Sequence, residues 1–278
     1  VLNHGNTGNA TVSVNAFGPA TTATTNYTVA ATDVTGALNH NSIALSGTAT
    51  LKDAGGNQPQ VWTAATTLAA NKTIVIDGIR PTITKISSGK TAGYYKIGDQ
   101  IDVEIHFTEN IVTTADEILK GTLETGATNA DEELKYGFIQ DPGATVAEVN
   151  YTVGENDYSS SLTMKSPVVV TGGNFVKDIP GNAMDVLTIP NGKNLSDEVV
   201  DIFVDGEFPV DDGTAITVTP KGGNVVSGKF NTTNTSVDFG VKFAGAKLGT
   251  GTAQTDITLV AGTIQMQAKI APNGWSNI

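Results

Sequence analysis

IDVEIHFTE, residues 101–109, sets Ile101, Val103, Ile105 and Phe107 on one parity and Asp102, Glu104, His106 and Thr108 on the other. Apolar and polar residues that alternate with a period of two describe a strand with one face buried and one face wet, the pattern of an antiparallel sheet. On both sides of it the same style continues. PTITKIS (81–87), ILKGTLET (118–125), LKYGFI (134–139), AEVNYTV (147–153), SPVVV (166–170) and VVDIFV (199–204) read as further strands. GATNADEE, QDPGAT, TGGN and IPNGK stand between them and carry turn chemistry. Beyond residue 207, TAITVTP, SVDFGVKF and GTIQMQAKI keep to the pattern.

The chain also repeats itself. NYTVAATD at 26–33 matches NYTVGEND at 150–157, LKDAGGN at 51–57 matches VKDIPGN at 176–182, and TIVIDGIRP at 73–81 matches DIFVDGEFP at 201–209. The spacings of these pairs are 124, 125 and 128 residues, in the same order along the chain. Three landmarks in register define a tandem repeat. Each Asp-Gly ends a unit and the following Pro opens the next, since Pro fixes the backbone and lacks a ladder donor at a strand entrance. The expected division is residues 79–206 as a complete unit, 1–78 as the latter part of one, and 207–278 as a third, divergent one. Val1 and the ending APNGWSNI both fall abruptly in the sequence, so the chain is expected to be an excerpt of a longer protein. Seven or so short strands in roughly 125 residues make each unit an immunoglobulin-like β-sandwich, and the fold class all-β.

Composition agrees. Thr, Val, Ala, Gly and Asn dominate, and only 6% of residues are aromatic. With 16 Lys+Arg against 28 Asp+Glu, the net charge of -12 argues against a nucleic-acid surface, which has to neutralise phosphates. Cysteine is absent, which removes disulfide staples, thiol nucleophiles and thiolate metal sites. No stretch approaches the ~20 apolar residues of a membrane-spanning helix.

YYKIGDQIDVEIHFTENI (94–111), LKGTLETG (119–126), NYTVGEND, VKDIPGN and LAANKTIVIDGIRPTI (68–83) together resemble the tandem bacterial Ig-like, cadherin-like repeats of very large prokaryotic surface proteins: adhesins, surface-layer proteins and motility-associated cell-surface proteins. The resemblance covers residues 26–209 well and the rest loosely. It implies a secreted, extracellular, modular chain that serves as stalk, lattice, filament or adhesive array, with calcium at interdomain linkers in some members and no enzymatic activity. Neighbouring repeats or copies of the same protein are the implied partners, or a host or neighbouring cell surface. Two rivals stand beside the structural reading: a calcium-dependent adhesin repeat, and an accessory β-domain of a secreted hydrolase.

Calcium takes six to eight oxygens, which Asp, Asn and carbonyl groups on adjacent loops supply. In an Ig-like sandwich the loop after the second strand lies at the pole of the domain's N-terminal linker, which brings Glu109 and Asn110 near Asp77. The second joint is denser: SDEVVDIFVDGEFPVDDG contributes Asp197, Glu198, Asp201, Asp205, Glu207, Asp211 and Asp212. The candidate ligands are therefore Asp205, Asp201, Glu207, Asp211 and Asp212 at one joint and Asp77 and Glu109 at the other. Against this, Asp-Gly is also an ordinary turn. The KDxxGN pair, Asp53/Asn57 and Asp178/Asn182, reads as an Asx-type turn with its Gly at positive φ, or as further ligands. Catalytic residues are not signalled. His4 and His40 fall in Asn/Gly-rich turns, His106 on the wet face of its strand, and LGTGTAQ (248–254) has no helix after it. Trp62 reads as a packing residue. Asn26 and Asn150 lie in Asn-x-Thr triplets at equivalent positions, as suited to structure as to sugar.

Overall fold

A computed structural model describes the chain apart from residues 4–8, 61–62, 127–130, 174, 198–200, 208–209, 212–216, 226–232, 241–242, 245–246, 249–251, 254–266, 270–274 and 278. It is an all-β molecule whose only helical segments among the described residues are a single-turn α-helix and a 3₁₀ turn, Leu195–Asp197. In residues 1–78, β1 (Leu2–Asn3) pairs with β3 (Asn39–His40), and β2 (Val34–Thr35) with β4 (Ile76–Asp77). Helix α1 (Leu68–Asn71) starts where the Thr67 hydroxyl accepts from the Ala70 N–H, an N-cap in the usual sense.

Residues 79–206 carry the packed body. Its strands are β5 (Ile83–Ser87), β6 (Gly93–Lys96), β7 (Gln100–Thr113), β8 (Leu119–Leu123), β9 (Glu132–Lys135), β10 (Ala144–Thr152), β11 (Tyr158–Ser159), β12 (Val169–Val170), β13 (Val176–Asp178) and β14 (Ile202–Asp205). β7 is the axis. β10 runs antiparallel along it with Tyr151 opposite Ile101, β5 flanks its first half, and β13 flanks its last turn of pairing. A second sheet has the order β12–β8–β9 and a third the order β11–β14–β6, in which β6 and β14 are parallel. Ile101, Val103, Ile105 and Phe107 are buried as their parity requires, and they pack with Leu119, Leu123, Tyr136, Tyr151, Leu162 and Val204 in one core.

Two strands differ from the sequence expectation. The 134–139 run is strand only in its first two residues. Tyr136 still donates its N–H to the Leu119 carbonyl of β8, and beyond it Ile139 exchanges bonds with Thr113, whose N–H donates to the Ile139 carbonyl and whose hydroxyl accepts the Ile139 N–H. β6 was not expected at all, because GYYK is too short to show a period; its partner β14 recruits it, and the Tyr94 and Phe203 rings stack at 4.8 Å.

The repeated sequence landmarks build a repeated clasp. The Asp157 carboxylate accepts from the Tyr151 hydroxyl at 2.5 Å and from the Gly154 N–H at 2.7 Å, while its carbonyl accepts from the Gly206 N–H at 2.7 Å. Asp33 does the same with Tyr27, Ala30 and Gly78. Burial, and then the charged acceptor beside each phenol, raises both tyrosine pKa values, Tyr27 to about 12. The glycine of each Asp-Gly is required by space: a Cβ at Gly78 would lie 2.1 Å from the Ala30 carbonyl oxygen, and one at Gly206 would lie 2.2 Å from that of Gly154.

Two outcomes follow for equilibrium urea denaturation. Gly206→Ala should lose about 1–3 kcal/mol to overpacking against backbone that has no rotamer to yield. Ile105→Ala, with its side chain wholly buried, should lose about 2–5 kcal/mol.

Candidate functional site

Glu109 breaks the pattern of its strand. At every other odd-numbered position from Ile101 to Thr113 the side chain is buried, yet Glu109 belongs to that inward series and is only half-buried. The pairing is irregular here: β10 slips between Ala144 and Val146, and β5 between Ile83 and Lys85, both opposite this part of β7. Such irregularities re-aim side chains at the rim of a sheet. Glu109 thereby reaches the pole where residues 1–78 join the packed body, and its carboxylate lies with those of Asp77 and Asp178 within 4.8 Å.

The three acids arrive from different elements. Asp77 ends β4, and its Oδ1 accepts from the Ile79 N–H at 3.1 Å, an Asx turn that starts the linker. Asp178 ends β13 and organises the KDxxGN turn. Its Oδ1 accepts from the N–H groups of Gly181 and Asn182, and its Oδ2 from the Asn182 amide. Gly181 has φ of 110° and its counterpart Gly56 has φ of 88°, so the positive φ read from the sequence is present in both copies. Asn182 also ties the joint, donating its amide to the Asp77 carbonyl at 2.9 Å. Across the same linker Arg80 pairs with Asp185.

Among the described residues no N–H or O–H group donates to the Glu109 carboxylate. Burial, and then the neighbouring charges of Asp77 and Asp178, raise its pKa. The exposed Asp53 shows the opposite balance, since bonds from Asn57 hold it below its ordinary value. Asn110 lies beside Glu109 but turns to the Pro142 carbonyl at 3.1 Å.

The first joint thus brings together Asp77 and Glu109 with Asp178, which the sequence offers both as an Asx-type turn residue and as a further ligand, though not at this joint. The signal was available: Asp178 follows an apolar Val176 at a strand end, and the repeat puts a loop there. At the second joint Asp205 repeats the Asp77 turn, accepting from the Glu207 N–H at 3.3 Å. Burial raises its pKa, the Glu207 N–H opposes that, and the Glu207 charge adds to it. Asp201 is exposed and precedes β14 at its opposite end from Asp205, and its carbonyl accepts from the Gly93 N–H. Among the described residues no third carboxylate gathers with Asp205 and Glu207. Glu198, Asp212 and the side chain of Asp211 lie outside the described residues.

One further polar group has the residue types of a catalytic triad. On the wet face of β5 and β7, the Ser87 hydroxyl lies 2.6 Å from His106 Nε2 and 2.9 Å from Glu104 Oε2, and Glu104 Oε2 lies 2.9 Å from the same Nε2. A relay needs the acid on one ring nitrogen and the nucleophile on the other. Here both meet one nitrogen, which gives a closed cross-strand triangle. Of the other histidines, His40 accepts the Leu68 N–H in front of α1, and His4 lies outside the described residues.

No protein-family model, no curated protein and no solved structure matches the chain. No helix among the described residues is long and apolar enough to cross a membrane.

The Glu109 environment has a definite sign. A carboxyl whose folded pKa is raised contributes stability below its ordinary range and loses it as pH rises through the folded value. Glu109→Gln is therefore expected to raise the melting temperature at pH 7 in the absence of divalent cations. The gain should shrink as pH falls below the ordinary glutamate range. Thermal melts of both proteins across pH 3–8 check this, and a Gln variant less stable than the parent at pH 7 refutes it.

Proposed function

We propose that the chain is a run of tandem immunoglobulin-like β-sandwich repeats, divided at 1–78, 79–206 and 207–278, in a large secreted cell-surface protein. Its role in this reading is structural, as part of a surface layer, stalk or extracellular filament, and it catalyses nothing. The observation that supports this best is the clasp made twice, Tyr27–Asp33–Gly78 and Tyr151–Asp157–Gly206, which closes each unit at its Asp-Gly. A direct bond from Asn182 to the Asp77 backbone then fastens one unit to the next. Modules closed and joined in this manner transmit tension along backbone ladders, and the turn chemistry at the poles serves spacing.

The second reading, a calcium-dependent adhesin repeat, is favoured by one observation, the convergence of Asp77, Glu109 and Asp178. Three carboxylates are part of a six- to eight-oxygen sphere. By themselves they do not make a metal site, and two of them already serve turns. A cation there would neutralise the repulsion that raises the Glu109 pKa and stiffen the joint.

Small-angle scattering with calcium and with chelator separates the readings. The structural reading expects an elongated particle in both conditions, and a compact profile overturns it. The calcium reading expects a higher melting temperature with millimolar calcium in the parent and a smaller increment in Glu109→Gln. Identical melts in calcium and chelator overturn that reading and leave the first standing.

A further inference from the structure

We propose that Asn191 is a site of spontaneous backbone modification, its carboxamide converting through a succinimide to aspartate and isoaspartate, and that the two clasps shield the Asp-Gly pairs at the joints from the same chemistry. The inference does not depend on the cell surface or on an ion.

The reaction needs no oxidant, reductant or enzyme. The Gly192 nitrogen gives its proton to solvent base and attacks the Asn191 Cγ. A C–N bond forms, the Cγ–Nδ2 bond breaks, and ammonia leaves with a proton from water. Water then opens the succinimide. Addition at Cγ gives aspartate, whereas addition at the main-chain carbonyl leaves the chain running through Cβ and Cγ, which is isoaspartate. Aspartate followed by glycine closes the same ring with loss of water. Asparagine is labile by this route where its amide is held by nothing, the next nitrogen keeps its proton out of a hydrogen bond, and the backbone has room to move.

IPNGK, which reads from sequence as a turn, meets each condition. Asn191, Gly192 and Lys193 are exposed. The Lys193 N–H donates to the Pro190 carbonyl at 3.2 Å, and Gly192 has φ of 71°, which glycine adopts at no steric cost. A Cβ at Gly192 would meet nothing within 4 Å. Among the described residues no acceptor takes the Gly192 N–H and no partner holds the Asn191 carboxamide. Other asparagines are tied. Asn182 donates to the Asp77 carbonyl, Asn110 to the Pro142 carbonyl, and Asn194 exchanges bonds with Met164. None of these three is followed by glycine. Asn-Gly recurs in the chain at Asn273, outside the described residues.

The joints have the sequence for ring closure without the freedom. The Gly78 N–H donates to the Asp33 carbonyl at 2.8 Å and the Gly206 N–H to the Asp157 carbonyl at 2.7 Å. Both glycines are buried. A hydrogen bond made by the protonated nitrogen favours that form, so the attacking form is suppressed. The Ala30 and Gly154 carbonyl oxygens crowd the two glycines and block the swing of the backbone. The repeat thus keeps a labile dipeptide inside a closed contact.

Modification at Asn191 reaches the packed body through its neighbour. The Lys193 carbonyl accepts the Ile86 N–H at 2.8 Å, on the edge of β5 away from β7, and Ile86 is wholly buried. Isoaspartate adds a methylene to the main chain of the turn and displaces that carbonyl. Aspartate keeps the backbone and adds only a charge. Since β5 is the first strand after the joint, conversion loosens the start of the packed body.

The full chain is incubated at pH 8, folded and in guanidinium chloride, then digested, and its aspartyl and isoaspartyl peptides are separated and identified by mass. In the folded chain Asn191 should convert several-fold faster than any other asparagine among the described residues, while Asp77 and Asp205 stay unisomerised. In the denatured chain all three should convert. Asn191→Gln, whose longer side chain closes a larger and slower ring, should remove the product and leave the melting transition unchanged. The isoaspartyl fraction should show faster amide hydrogen exchange at Ile86, and Asn191→Asp should not. An Asn191 that stays intact in the folded chain overturns the proposal. Isomerisation of Asp77 or Asp205 in the folded chain at the denatured rate overturns the shielding. Unchanged exchange at Ile86 in the isoaspartyl fraction overturns the effect on β5.

Discussion

The backbone ladders on β7 are the constraint on which the rest of the molecule depends. A strand of fourteen residues with partners on both edges satisfies its own polar groups and those of β5, β10 and β13 at once, away from water. Its inward side chains then have a fixed place from which to build a core with the β8 and β14 sheets. The contrast within the chain makes the dependence visible. Residues 1–78 carry the same motifs as residues 125–206, in the same order, yet few of their side chains are buried. Local propensity and turn chemistry are alike in the two copies. In residues 79–206 the strands β10 and β13 lie along β7, and their inward side chains are buried with it.

The turns survive without it. Asp53 and Asn57 form the same bonds as Asp178 and Asn182, and the Asp33 clasp reproduces the Asp157 clasp, although one copy of each is far more exposed. These motifs are closed by side-chain-to-backbone bonds over a few residues, and their cost in chain entropy is local. Ladder formation on β7 joins residues far apart in sequence, and each pairing has to offset a larger loop closure.

The joint inherits its electrostatics from that arrangement. Asp77 and Asp178 are at the pole because they make turns, and backbone N–H groups donate to both carboxylates. Glu109 is there because strand parity and an irregular register carry it inward, beside two acids and without the donors they have. Burial, and then the charges of Asp77 and Asp178, raise the Glu109 pKa. The Ser87–Glu104–His106 triangle on the wet face shows the converse: reactive residue types that meet at one nitrogen form a cross-strand contact, with no relay.

The all-β fold class was legible in the sequence because it is written in short-range pattern. Alternation along 101–107 marks the inward face, and the recurrence of Asp-Gly, KDxxGN and NYTV marks the period. The pairing of Glu109 with Asp77 was also legible, since it needs only a strand end and a linker at one pole. The register slips opposite 107–110 were not, because each depends on which strands lie alongside. Nor was β6, a four-residue strand held by a partner more than a hundred residues away. Asp178 joins the acidic group through the same long-range closure. Residues 20–53 show the limit most plainly. Their sequence specifies strands and turns by itself, and only tertiary partners decide which become sheet, because a strand's hydrogen bonds are made with another strand.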